Sequence, residues 1–152
     1  MARPKIMLVD DEKLILNALQ RSLRREGYEI VLASCGPEAL EYLKNDPDVA
    51  IIVSDYRMPK MTGLELLTEV LRLYPRVVRI LLTGRADLDV AIEAINRRIL
   101  YRFITKPWEE SELKAHLRNA LCFRKEVDFA REAVRTARDV RNNNFQPRTQ
   151  RR

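Results

Sequence analysis

The sequence is poor in the residues that build disulfide frameworks and cysteine–histidine metal sites. Its 152 residues include only two cysteines, Cys35 and Cys122, and one histidine, His116. The cysteines stand far apart, with neither a CxxC motif nor a histidine at ligand spacing. This pattern disfavours a disulfide scaffold, and we expect both thiols to be reduced and partly buried.

Long hydrophobic runs are missing from the start of the chain. The stretch MARPKIMLVDDE has an apolar run of only four residues before it meets three acids. That run is too short for a signal peptide or a membrane span. We therefore expect a cytoplasmic protein without a membrane partner.

An excess of one charge sign is absent from most of the chain. Residues 1–117 hold 18 basic and 18 acidic residues, so the net charge of +6 comes from residues 118–152, with 10 basic and 4 acidic ones. A neutral domain with a basic tail differs from a basic nucleic-acid-binding domain. The stripe of Arg131, Arg135 and Arg138 lacks interleaved aromatic residues, which disfavours a nucleic-acid partner.

Five short runs of apolar and β-branched residues predict strands. They are KIMLV (5–9), YEIVLA (28–33), VAIIVS (49–54), VVRILLT (77–83) and YRFIT (101–105). Between them the apolar residues recur at helical spacing, and proline or glycine stands at or beside the joins. This alternation predicts an α/β fold whose parallel sheet is covered by helices on both faces.

A helical pattern continues from about residue 109 well past the fifth strand. It divides the chain into a domain over residues 1–124, a helical extension over 125–141 and a disordered basic tail over 142–152. Apolar residues with seven-residue periodicity lie along this helix: Ala120, Phe123, Val127, Ala130, Val134 and Ala137. The spacing is typical of a two-helix coiled coil and thus of a homodimer, and a solvated terminal helix is the alternative.

Polar residues follow four of the predicted strands where each strand ends. Asp10 and Asp11 follow the first, Asp55 the third, Thr83 the fourth and Lys106 the fifth. Because the carboxyl ends of parallel strands meet at one edge of the sheet, these groups should converge where such folds bind ligands. Each has a structural alternative, since an aspartate or threonine can cap a helix and a lysine can be a solvated loop charge.

The three acids together are hard to explain as helix caps, because crowded carboxylates repel one another unless a cation lies among them. Carboxylate oxygens suit Mg²⁺, which also binds phosphate oxygens. Asp55 is then positioned as a nucleophile toward a phosphoryl group. Lys106 and the metal would neutralise charge on the transferred group, and Thr83 could donate a hydrogen bond to it.

Four segments carry a family resemblance: MLVDDE, VSDYRMPKMTG, LLTGRAD and FITKPW. Over residues 5–124 the chain resembles the receiver domains of bacterial response regulators in two-component signalling. The resemblance implies a flavodoxin-like (βα)5 fold with strand order 2-1-3-4-5. It also implies Mg²⁺-dependent transfer of a phosphoryl group from a sensor histidine kinase or a phosphotransfer protein, followed by a switch in partner contacts.

The resemblance gives each of the acids a role. It implies that Asp55 is the phosphoacceptor, that Asp11 binds Mg²⁺ directly and that Asp10 assists through water. The third protein ligand in the family is a backbone carbonyl two residues past the acceptor, which here belongs to Arg57.

The other matching positions belong to the switch. Thr83 matches the switch hydroxyl, and Lys106 matches the phosphate-binding lysine, which a cis peptide bond joins to Pro107 in the family. Tyr101 matches the aromatic that turns inward when the threonine moves. Its alternative is an aromatic partly buried on an edge strand.

The chain departs from the family's common pattern beside the pocket. Arg57 and Arg85 stand two residues after Asp55 and Thr83, where the family tunes the lifetime of the acyl phosphate. Two guanidinium groups there could contact the phosphoryl oxygens or obstruct attacking water, so we expect slow self-dephosphorylation. Gly84, where the family commonly has alanine, should change little.

The output of the signal stays open. Residues 82–113 look most like receivers that precede HD-type (HD-GYP) phosphohydrolases or other cyclic-nucleotide signalling outputs, so the chain is a stand-alone regulator or the receiver part of such an enzyme. The alternative is a scaffold that works through its helical tail, independent of phosphate. An aspartate-based phosphatase would need a second acid two residues after the nucleophile, where this chain has Arg57. We therefore expect no enzyme activity beyond self-catalysed phosphoryl transfer and dephosphorylation.

Overall fold

The computed structural model of the protein describes residues 2–145. Within them five strands alternate with five α-helices, and a short 3₁₀ turn, Arg85–Asp87, leads into the fourth helix. The strands are β1 Lys5–Val9, β2 Glu29–Ala33, β3 Ile51–Asp55, β4 Val78–Thr83 and β5 Arg102–Thr105. The helices are α1 Lys13–Ser22, α2 Gly36–Asn45, α3 Gly63–Leu73, α4 Leu88–Asn96 and α5 Glu110–Asn143.

The strands form one parallel sheet in the order β2-β1-β3-β4-β5. This order confirms the predicted flavodoxin-like fold. In the register, Val9 lies opposite Ser54 and Thr83 lies opposite Thr105. The carboxyl ends of β1, β3, β4 and β5 therefore meet at one edge of the sheet.

Alternation along each strand divides the core between the two faces of the sheet. Met7 of β1 faces the cluster that α2, α3 and α4 cover, whereas Leu8 faces the cluster that α1 and α5 cover. Both side chains are fully buried. Burial on both faces explains why the strands read as continuous apolar runs rather than as alternating ones.

Helix α5 begins as part of the domain and ends as an exposed extension. Leu113, Leu117 and Ala120 are fully buried against the sheet, whereas residues 129–145 are exposed throughout. One continuous helix thus crosses the proposed domain boundary at residue 124. No helix within residues 2–145 is long and apolar enough to cross a membrane.

Two expectations about this helix need correction. The helix runs to Asn143, two residues beyond its predicted end, because nothing in the sequence before that point breaks a helix. Residues 146–152 of the predicted disordered tail lie outside the described residues. Ala120 is fully buried in the domain core, so it does not belong to a seam with a second helix. Phe123 stacks on Tyr101 within the chain but stays 41% exposed.

Candidate functional site

Three carboxylates meet at the carboxyl edge of the sheet. Asp10 follows β1, Asp11 comes next, and Asp55 is the last residue of the neighbouring strand β3. One carboxylate oxygen from each lies within 4.8 Å of the others. Asp10 and Asp55 are buried, and Asp11 is exposed. This is the one such group of potential metal-binding side chains in residues 2–145.

Lys106 supplies the positive charge of the cluster. Its backbone N–H donates to the Thr83 carbonyl at 2.8 Å, which sets the lysine beside the end of β4. Its Nζ lies 2.7 Å from Asp55 Oδ1 and 3.5 Å from Asp10 Oδ2. The peptide bond between Lys106 and Pro107 is cis, the form that the resemblance implies.

Thr83 is buried at the end of β4 and is 1% exposed. Its hydroxyl donates to the carbonyl of the next residue, Gly84, at 3.2 Å. The Thr83 hydroxyl is therefore hydrogen-bonded to the backbone of the loop that it begins. Neither Thr83 nor Gly84 caps α4, since Asp87 directly precedes that helix.

Burial disfavours the charged forms of Asp10 and Asp55. It raises the pKa of Asp10 to about 6, and the charge of Asp55 adds to the effect while Lys106 opposes it. Burial likewise raises the pKa of Asp55, against the hydrogen bond from Lys106. For Lys106, burial lowers the pKa, but the contacts with Asp55 and Asp10 outweigh it and leave the pKa above its ordinary value. With three carboxylates and one lysine, the site is two positive charges short of neutrality when all its carboxylates are ionised.

The helix-cap interpretation of the first two acids accounts for only part of this arrangement. Asp10 Oδ1 accepts a hydrogen bond from the Glu12 backbone N–H at 2.8 Å. Glu12 itself precedes α1 and makes no side-chain cap. Asp10 therefore supports the entry to α1 with one oxygen, while its other oxygen faces Lys106.

Within residues 2–145, neither Arg57 nor Arg85, both predicted to tune the pocket, forms a side-chain hydrogen bond or ion pair with Asp55. Arg57 forms a two-pronged ion pair with Asp87, with N–O distances of 2.7 and 2.9 Å. Arg85 is exposed and makes none of the ion pairs found among the described residues. A Cβ on Gly84 would have no atom within 4 Å.

Tyr101 lies just before β5 and is half-buried. Its ring stacks on Phe123 of α5 with centroids 4.8 Å apart, and the Arg102 guanidinium lies 5.7 Å from the ring centroid. The tyrosine therefore packs against α5 in this state. Its role as a switch stays a prediction.

Sequence reasoning missed two contributions to the site. Asp87 is not among the predicted site residues, and its pairing with Arg57 joins residues 30 positions apart. Gly63 is likewise absent from the predicted site, although a Cβ there would overlap the backbone carbonyl oxygen of Asp55. An acid four residues after Thr83 and a glycine eight residues after Asp55 were the available signals.

The family model for the response regulator receiver domain matches residues 6–118. Among curated proteins, the chain is 36% identical over 116 residues to the hydrogenase transcriptional regulatory protein HoxA of Cupriavidus necator. The match covers 76% of this chain and 24% of HoxA. The chain thus spans about a quarter of the length of such relatives.

Solved structures share the fold closely. A structure described as adenylate cyclase from Rhodopirellula baltica superposes with a TM-score of 0.83 at 34% identity, covering 88% of this chain and 98% of that one. The signal receiver domain of an HD domain-containing protein from Pseudomonas fluorescens gives 0.76 at 38% identity, covering 82% and 99%.

Proposed function

The chain belongs to the response regulator receiver domain family, and on that premise we propose that Asp55 accepts a phosphoryl group in a Mg²⁺-dependent reaction. The observation that carries the proposal is the contact of 2.7 Å between Lys106 Nζ and the Asp55 carboxylate, beside two further carboxylates. A nucleophilic oxygen, a cation for the phosphoryl oxygens and a set of metal ligands occur together.

The donor set fits Mg²⁺. Three carboxylates lie close together, one of them exposed to incoming water and phosphate, and this ion prefers a few carboxylates together with water and phosphate oxygens. Asp10, Asp11, Asp55 and the backbone carbonyl of Arg57 would hold it. When bound, the ion supplies the positive charge that the buried acids lack and neutralises charge on the phosphoryl oxygens.

The chain's own groups account for the transfer step. An ionised oxygen of Asp55 attacks phosphorus, the new O–P bond forms as the P–N bond of a phosphohistidine breaks, and the electron pair returns to the imidazole nitrogen. Lys106 Nζ, 2.7 Å from Asp55 Oδ1, helps to keep Asp55 ionised and would bind the oxygens of the transferred group. Hydrolysis by water reverses the modification, and this self-catalysed chemistry is the enzyme activity we propose for residues 2–145.

The switch is proposed to run from Thr83 to Tyr101. The Thr83 hydroxyl exchanges its weak backbone contact of 3.2 Å for a phosphoryl oxygen. Its displacement opens space toward β5, and the Tyr101 ring leaves Phe123 to fill it. Phosphorylation thus changes the surface where β5 meets α5, through a shift between two states.

The proposed partners follow from the site and from α5. A sensor histidine kinase or a phosphotransfer protein supplies the phosphoryl group, and a second copy of the chain packs along the exposed part of α5. The relatives include a receiver from an HD domain-containing protein and a structure described as adenylate cyclase, which supports a place in cyclic-nucleotide signalling. A cytoplasmic location fits these partners and stays a prediction.

Intact-protein mass spectrometry after incubation with Mg²⁺ and acetyl phosphate tests the proposal. We expect one phosphoryl adduct on the parent, none on Asp55→Asn, and none when a chelator removes the metal. The variant keeps the shape of the side chain and loses its nucleophilic oxygen. An unmodified parent under all donor and metal conditions would contradict the proposal and favour the phosphate-independent scaffold.

A further inference from the structure

An ion pair between Arg57 and Asp87 bridges two loops beside the site. One loop follows β3, which ends at Asp55, and the other follows β4, which ends at Thr83. Arg57, in the loop after β3, donates from Nε to Asp87 Oδ2 at 2.7 Å and from Nη2 to Asp87 Oδ1 at 2.9 Å. Asp87 ends the 3₁₀ turn that follows β4 and directly precedes α4. The pair therefore ties the start of α4 to the loop beside Asp55.

This pair stands at the mouth of the acid cluster. A cavity of about 550 Å³ is lined by Asp11, Arg57 and Asp87, together with the start of the loop after β3. It is open to solvent next to the exposed carboxylate of the cluster. The ion pair and Asp11 thus line the same open cavity beside the acid cluster.

The two partners are held unequally. The Arg57 side chain is 72% exposed, whereas the Asp87 side chain is 12% exposed. The aspartate is thus mostly covered by the protein, whereas the arginine is a long side chain that lies largely in solvent. Because water screens an exposed pair, the guanidinium can exchange one anionic partner for another at small cost.

A phosphoryl group competes more strongly than the Asp87 carboxylate for the Arg57 guanidinium. It offers several oxygens and more negative charge than a carboxylate, and guanidinium binds both with the same two-pronged geometry. Arg57 lies only two residues from Asp55, so the group it would meet is the one that Asp55 carries.

We propose that Asp87 is a positioning residue, which pairs with Arg57 at the mouth of the cavity in the unphosphorylated protein. When Asp55 is phosphorylated, Arg57 leaves Asp87 and binds the phosphoryl group. This inference rests on the proposed function of Asp55. The exchange releases α4 from the loop after β3, so one side chain links the chemistry to a helix at the surface. It also keeps the pocket mouth partly closed to anions until one displaces Asp87.

Nuclear magnetic resonance of the arginine Nε–H groups tests the resting half of the proposal without any phosphorylation. The Arg57 signal should shift in Asp87→Asn and keep its position in Asp89→Asn, which removes an exposed acid two residues further along. An Arg57 signal that is the same in the parent and in Asp87→Asn would show that Asp87 does not hold the guanidinium.

Kinetics with acetyl phosphate and Mg²⁺ test the exchange. We expect Asp87→Asn to lower the KM for acetyl phosphate at least threefold with less than a twofold change in maximal rate, because the guanidinium is already free. Asp87→Glu should restore the parent values, and Asp89→Asn should leave them unchanged. The effect of Asp87→Asn should vanish when Arg57→Gln is also present.

Three outcomes overturn the exchange: no change in KM for Asp87→Asn, an equal change with and without Arg57, or the same change in Asp89→Asn. An equal change with and without Arg57 would mean that Asp87 acts only through its charge. If no protein in the set takes up a phosphoryl group, the proposed function of Asp55 fails and the exchange fails with it. The resonance measurement then still decides whether Asp87 holds Arg57.

Discussion

Two buried carboxylates share one lysine at the carboxyl edge of the sheet, and this imbalance has a measurable consequence. Burial lifts the pKa of Asp10 from its ordinary value of 3.8 to about 6. Without metal, and between about pH 4 and pH 6, the folded protein therefore holds a proton at Asp10 that the unfolded chain has already lost. The stability that this proton contributes is lost as the pH rises from about 4 through about 6.

Replacing Asp10 tests the direction of this change of stability with pH. Without metal, Asp10→Asn should melt at a higher temperature than the parent at pH 7, and the difference should shrink at pH 5, where the parent is protonated. Excess Mg²⁺ at pH 7 should remove the advantage of the variant, because it neutralises the parent's acids. Thermal melts measure this, with the exposed Asp139→Asn as control. A difference that is equal at both pH values would contradict the assignment.

Gly63 allows a second test at the residue scale. A Cβ there would overlap the Asp55 carbonyl oxygen, whereas a Cβ on Gly84 meets no atom within 4 Å. Gly63→Ala should therefore lower the free energy of unfolding by on the order of 3 kcal/mol as the loop is displaced. Gly84→Ala should change it by well under about 1 kcal/mol. Urea unfolding measures both, and equal costs would show that the loop after β3 yields easily.

The sequence predicted the positions of the acids, Thr83 and Lys106 because a general rule brings the ends of parallel strands together. It could not predict the partner of Arg57. That choice depends on which rotamer of a long side chain reaches an acid 30 residues away. The close approach of Gly63 to Asp55 could not be predicted for a similar reason, because the distance between two loops depends on how the folded chain packs.

At the scale of elements, α5 is tied to the domain by an ion-pair cluster at the amino edge of the sheet. Arg124 is 7% exposed. It donates to the Val49 carbonyl at 2.8 Å and to Asp128 at 3.0 Å. Arg76, in the turn between α3 and β4, also donates to Asp128 at 2.8 Å. The extension therefore leaves the domain in a direction that these contacts set.

Removing this anchor should weaken the domain as well as the extension. Arg124→Met keeps much of the side chain's volume but removes its donors, so we expect a loss of about 1–3 kcal/mol in the free energy of unfolding. Arg138→Met, on the exposed part of the same helix, should cost well under about 1 kcal/mol. Urea unfolding of the two variants would contradict the anchor if their losses were alike.

The strands and helices followed from periodicity, but the role of each apolar residue on α5 did not. A helix that packs on its own sheet and a helix that packs on a second helix repeat at nearly the same interval. Ala120 therefore fitted the predicted seam although it is buried in the domain core, and Phe123 fitted it although one side of its ring packs on Tyr101. Only the placement of the sheet separates the two uses.

At the scale of the whole molecule, the exposed part of α5 is the surface proposed to join two chains. Its exposed side chains include Phe129, Val134 and Val140. Val134→Glu should abolish dimers by burying a charge between the helices. Thr136→Glu, which adds the same charge beside it on the polar face, should not. Size-exclusion chromatography of phosphorylated and unphosphorylated protein tests this, and dimers of equal strength in both variants would place the interface elsewhere.

At this scale a phosphoryl group on Asp55 is proposed to act on two helices, on α4 through Arg57 and Asp87, and on α5 through Tyr101 and Phe123. Both routes begin with a phosphoryl group on one carboxylate. The account therefore depends on which of the three clustered acids is modified.

Peptide mapping of the modified residue tests this claim most directly. The protein is phosphorylated with acetyl phosphate and Mg²⁺, and borohydride then reduces the acyl phosphate so that the modified aspartate becomes homoserine. Mass spectrometry of the peptides should find homoserine at Asp55 alone, with Asp10 and Asp11 intact. Homoserine at Asp10 or Asp11, or phosphate recovered on a serine, threonine or histidine, would contradict the account.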